Sequence, residues 1–179
     1  MHIRYKLATW ALSTIFLLFP VALIAQSSEN PEVTRLLAEA REKAAVLSRD
    51  ADEMEALTRT DASWQTHADM LETIRQHVND LGRLTERLTA ERGSAAPWQQ
   101  QAIDRMLPIL RELASNTTAA INHLNENKIR PTTASYTEYL KENAEASHQL
   151  SEMVSSFLQY GEARAKLEKL EQKLEVASR

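Results

Sequence analysis

Glu145 and His148 stand three residues apart, separated by Ala146 and Ser147. On a helix that spacing sets a carboxylate and an imidazole side by side on one face. Di-metal sites in four-helix bundles use the pair twice, on two helices, and take one further glutamate from each of the other two. When the chain is folded back at its turns, His77, Glu112 and Glu42 fall near the level of Glu145. The set is incomplete, because Ile74 occupies the position three before His77. Glu145 and His148 also lie off the apolar stripe of their own segment. Both are therefore expected on a solvated helix face, and no metal ligand is assigned.

Met54 and His67 form a second candidate pair. Small bundles can hold non-covalent haem between a methionine and a histidine, and both residues sit in apolar seams near one end. A seam methionine ordinarily fills core space, so the expectation is packing, with no cofactor. A haem- or metal-binding bundle is the alternative function. Ser63, His67 and Asp69 lie within two turns of one helix, but nothing marks an oxyanion site beside them. Asn116-Thr117-Thr118 matches a glycosylation acceptor, yet falls in mid-helix rather than in a loop. Gly93-Ser94 leads into a helix without the fingerprint of a phosphate loop. No catalytic residue emerges, and the chain is expected not to be an enzyme.

The elements that would position such groups follow from the apolar period. With 3 glycines and 5 prolines in 179 residues, the chain reads as all-α. Apolar residues at alternating three- and four-residue steps mark amphipathic helices. The first starts at Pro31, a favoured early position, and runs to about Leu57 through Val33, Leu37, Ala40, Ala44, Leu47, Ala51 and Met54. The second, capped by Asp61 or Ser63, carries Trp64, His67, Leu71, Ile74, Val78, Leu81, Thr85 and Leu88 to about Arg92. Gly93 to Pro97 is a turn. The third carries Ile103, Met106, Leu110, Leu113, Thr117, Ala120 and Leu124, with Pro108 expected to kink it. Short connections between such helices predict an antiparallel up-down-up-down four-helix bundle.

The fourth helix, from Thr132 to about Ala177, is the longest. Its stripe is Tyr136, Tyr139, Leu140, Ala146, Leu150, Met153, Val154, Phe157 and Tyr160. Past Gly161 it continues as Ala163, Leu167, Leu170, Leu174 and Ala177 in a charged background. Counting from the turns ends the four-helix part close to Gly161, so the bundle is expected over residues 32–160. Residues 161–179 form a charged amphipathic extension. Trp64, Tyr136 and Tyr139 are expected to close one end of the core, and Trp98, Phe157 and Tyr160 the other. Leucines at heptad spacing normally face another helix. Leu167, Leu170 and Leu174 are accordingly read as a partner-binding set, for a protein partner or a second copy of the chain.

The N-terminus supplies an address. Arg4 and Lys6 precede an uncharged apolar run from Leu7 to Ala25. This is the pattern of a secretory signal peptide, with a retained membrane anchor as the alternative; residues 26–31 form a linker. The formal charge of the whole chain is −4, and residues 1–25 contain two bases and no acid. The remainder is more acidic still, which argues against nucleic acid as a partner. Cysteine is absent, so an exported product would have neither disulfides nor covalent haem attachment. The sequence thus reads as an exported, periplasmic or secreted bundle that acts through protein–protein contacts.

Overall fold

The computed structural model describes residues 29–128 and 132–177. The expected signal segment, residues 1–25, lies outside the described residues. Four helices account for nearly all of the described chain: α1 (Pro31–Leu57), α2 (Trp64–Glu91), α3 (Pro97–Glu126) and α4 (Ala134–Ala177). A short 3-10 turn, Arg92–Ser94, joins α2 to α3. No strand occurs among the described residues.

Local chemistry sets the helix starts. Asn30 caps α1, its Oδ1 accepting from the backbone N–H groups of Glu32 at 2.9 Å and Val33 at 3.3 Å. These donors have no partner within the helix, and Pro31 brings none to satisfy. Ser63, one of the two expected caps, does the same for α2 through Thr66 at 3.2 Å. Ala96 precedes α3 and has no capping group, so Gln99 takes over. Its Oε1 accepts from the N–H groups of Ala96 at 2.8 Å and Asn30 at 3.1 Å. Its Nε2 donates to the Asn30 carbonyl and to Thr34 Oγ1, both at 2.9 Å. One buried amide thus satisfies α3 and ties its start to the start of α1. Thr133 accepts from the Tyr136 N–H at the start of α4.

Each helix packs on two others: α1 on α2 and α4, and α3 on α2 and α4. The apolar seams expected in α1 and α3 are buried throughout, and that of α2 is buried apart from half-exposed Trp64. Leu36, Leu84, Ile109 and Leu158 widen the core beyond those seams. Each fully buried leucine contributes about 1.5–3 kcal/mol to the driving force. Pro108 sits on the exposed side of α3, which continues through it from Pro97 to Glu126.

The core-facing line of α4 differs from the expected stripe. It runs through Tyr136, Leu140, Asn143, Ser147, Leu150, Val154, Leu158 and Gly161. Two of these are polar, and both are bonded inside. Asn143 Nδ2 donates to Thr117 Oγ1 at 3.1 Å, and Ser147 Oγ donates to the Ala144 carbonyl at 2.8 Å. Met153 and Phe157 are only half-buried, and Tyr160 is exposed. The apolar residues of this stretch therefore serve two faces, one in the core and one at its edge. With 44 residues, α4 is about 66 Å long. The other three are about 40–45 Å.

Candidate protein-contact surface

The second face begins at a groove between α3 and α4. Pro97, Trp98, Met153, Phe157 and Tyr160 line about 530 Å3 of open space, with Arg105 and Arg164 at its margins. Trp98 organises it. The indole is buried and stands edge-on to Tyr160, with centroids 6.4 Å apart, and its Nε1 donates to Glu29 Oε1 at 3.0 Å. The guanidinium of Arg105 lies 5.6 Å from the centre of the Phe157 ring, and that of Arg164 lies 5.9 Å from the centre of Tyr160. Both distances suit a cation held over an aromatic face.

Gly161 is where this groove meets the core. A Cβ built on it would fall 2.5 Å from Trp98 Cζ2 and 2.8 Å from Cη2. Carbon atoms in contact normally sit about 3.5–4.0 Å apart. Glycine is thus the residue that lets the α4 backbone lie against the indole. It is also the last buried residue of the helix; from Lys166 to Ala177 every residue is exposed.

The core-facing line ends there for a reason written in the sequence. Continued at the same spacing, it would pass through Ala165, Glu168 and Gln172, which offer almost nothing to bury. The leucines occupy a different side. At about 100° per residue, Met153, Phe157, Tyr160, Leu167, Leu170 and Leu174 share an arc of about 140°. That arc is centred about 130° from the core-facing line. Leu167 is 57% exposed, Leu170 48% and Leu174 71%. The three partner-binding candidates therefore extend the lip of the groove, not the core seam, and they stand outside the buried core.

The structure also places the candidate chemical residues. Glu145 is exposed beside Lys141, 3.6 Å away. His148 faces α1, with Nδ1 3.0 Å from Ser48 Oγ and Nε2 2.9 Å from Asp52 Oδ1. This serine, histidine and aspartate set was not legible in the sequence, since its members come from helices about a hundred residues apart. Ser48 lies in mid-helix, where the neighbouring N–H groups are spent on carbonyls one turn back and none is left to stabilise an oxyanion. The set works as a polar clamp between α1 and α4. On the opposite flank of α1, His77 Nδ1 lies 2.9 Å from Asp50 Oδ2. Among the described residues no three histidine or acidic side chains are grouped to hold a metal ion.

Met54 and His67 are both fully buried. His67 Nδ1 is 3.1 Å from the Tyr136 hydroxyl, and His123 stacks on the Tyr136 ring with centroids 5.5 Å apart. His67 Nε2 has no hydrogen-bond partner. Burial drives the His67 pKa down and the Tyr136 pKa up, so both stay neutral. The Lys128 ammonium lies over the Trp64 ring, 4.9 Å from its centre. Asn116, of the glycosylation motif, lies inside α3. No helix of the described residues is long and apolar enough to cross a membrane.

Compared with known proteins, the chain matches no protein-family profile, no curated protein and no solved structure.

Proposed function

We propose that this protein is an exported, non-catalytic helical bundle that acts through protein–protein contacts in the cell envelope. In this reading residues 1–25 are a signal peptide removed near Ala25, residues 32–160 form an antiparallel up-down-up-down bundle, and residues 161–179 are its contact arm. The antiparallel order is supported by which helix ends meet. The start of α1 lies beside the end of α2 and the start of α3, through Glu32 with Arg87 and Asn30 with Gln99. The start of α2 lies beside the start of α4, through His67 and Tyr136. The single observation that carries the contact role is the exposed row Leu167, Leu170 and Leu174 on a helix that continues without a break to Ala177. An isolated amphipathic helix of this length is marginal in water. Leucines at these positions gain stability only by covering one another or another protein.

The test compares the full chain with one ending after Glu162, by chemical crosslinking in intact cells. The arm is expected to account for the crosslinked species, which disappear on truncation while the bundle keeps its thermal unfolding. Identical crosslinks from both chains would remove the arm from the function. A second reading, a haem- or metal-binding core, rests on the unpartnered Nε2 of buried His67. An absorption spectrum and metal analysis of the protein from its native envelope decide it: a stoichiometric group would displace the contact reading.

A further inference from the structure

We infer that the occupant of the arm is a second copy of this chain, lying parallel and in register, so that the two arms zip together and the two groove lips meet at Tyr160. This inference rests on the contact role proposed for the arm. The charge pattern selects the partner and its direction. With Leu167 and Leu174 at the first core position of each heptad and Ala163, Leu170 and Ala177 at the second, Lys166 and Lys173 flank the seam on one side and Arg164 and Glu171 on the other. In a parallel pair, the residue before one core position faces the residue after the next core position on the partner. Lys166 then faces Glu171 of the second copy, and the contact occurs twice by symmetry. An antiparallel pair matching Leu167 with Leu170 instead sets Lys166 against Lys173 twice. Two Arg164–Glu171 contacts can only cancel that repulsion. Sliding the arms further, so that each lies in the other's groove, opposes Lys166 to Lys166 and Arg164 to Arg164. Only the parallel register carries attraction without repulsion.

Continuity of the surface points the same way. Two heptads make a short zipper. The leucine row runs without a change of side into Tyr160, which is 51% exposed, and on to Phe157 and Met153. A parallel pair places the two rows at equal heights along their whole length. Arm and lip then form one interface.

The chain contains no cysteine, so introduced cysteines report without background. The experiment uses the full chain in intact cells. A photoreactive benzoyl-phenylalanine replaces Leu170, and separate variants carry Leu174→Cys, Gln172→Cys, or Leu174→Cys mixed with Ala163→Cys. The expected result is a photoadduct of twice the chain mass, with a disulfide dimer from Leu174→Cys and none from Gln172→Cys. A dimeric adduct in which only the mixed Ala163 and Leu174 pair forms a disulfide would overturn the parallel register. A photoadduct of any other mass would overturn the second copy as occupant while leaving the contact role standing. No adduct at all would overturn both.

Discussion

Replacing Gly161 with alanine tests how the bundle ends. Two terms of opposite sign compete. In a plain helical position, glycine to alanine gains about 1 kcal/mol, because alanine loses less backbone freedom on folding. Here the new Cβ would sit 2.5 Å from Trp98 Cζ2 and 2.8 Å from Cη2. Ordinary contact lies near 3.5–4.0 Å, so the indole must retreat by about 1 Å. It is held in place by its 3.0 Å bond to Glu29 and by the edge of Tyr160. Overpacking of this kind costs about 1–3 kcal/mol. The balance is a net loss of about 1 kcal/mol, or about 2–4 °C in Tm for a chain of this size. Urea unfolding followed by circular dichroism at 222 nm measures it. The control is the same substitution in a Trp98→Leu background, where the obstruction is gone and Gly161→Ala gains about 1 kcal/mol instead. A sign change between backgrounds is the signature of the Trp98–Gly161 contact. If Gly161→Ala stabilises the otherwise unaltered protein by about 1 kcal/mol, the glycine is merely tolerated and the close-packing argument fails.

Further outcomes follow from the same geometry. Acid should destabilise the fold through His67. Its native pKa is depressed by burial, so the unfolded chain binds the proton more readily. Stability is full above about pH 6.5 and falls below it, by up to about 1.4 kcal/mol per unit, until the native pKa is reached. His67→Phe is expected to flatten that part of a stability–pH curve. Asn143 and Thr117 form a buried pair in which Asn143 Oδ1 stays unpartnered. Joint replacement by Asn143→Leu and Thr117→Val should leave stability unchanged or raise it by about 1 kcal/mol, whereas Asn143→Leu alone strands the Thr117 hydroxyl and does worse. Leu167→Gln, Leu170→Gln and Leu174→Gln together should change bundle stability by no more than about 0.5 kcal/mol, while abolishing any mass above that of the monomer in light scattering.

What was readable in the sequence was readable because apolar period and burial coincide. In α1, α2 and α3 the three–four repeat of Val33 to Met54, His67 to Leu88 and Ile103 to Leu124 is the buried line itself. In α4 it is not. Asn143 and Ser147 read as solvent residues, so the apolar pattern passes through their nearest apolar neighbours. That pattern merges the core line with the lip formed by Met153, Phe157 and Tyr160. Polar groups enter a core once they find partners, and Thr117 is a partner that no local pattern announces. Counting from the turns ends the four-helix part close to Gly161, because helix length depends on residue number and not on face; Gly161 is the last buried residue of α4. The contact with Trp98 at that glycine, and the clamp of Ser48, His148 and Asp52, join residues 63 and about a hundred positions apart, so they required the packed arrangement. Leu167, Leu170 and Leu174 are exposed and stand outside the core cluster, so their heptad spacing is a property of the sequence and not of packing within the bundle.

Hydrogen exchange across the arm, measured at increasing protein concentration, bears most directly on the claim that a second copy of the chain covers it. Amides from Ala163 to Ala177 belong to a helix that is marginal alone, so their protection reports whether another chain covers it. Protection in this stretch is expected to rise with concentration while that of the amides of α1 to α3 stays constant. Exchange in the arm that is fast at every concentration, with the bundle equally protected throughout, would contradict it.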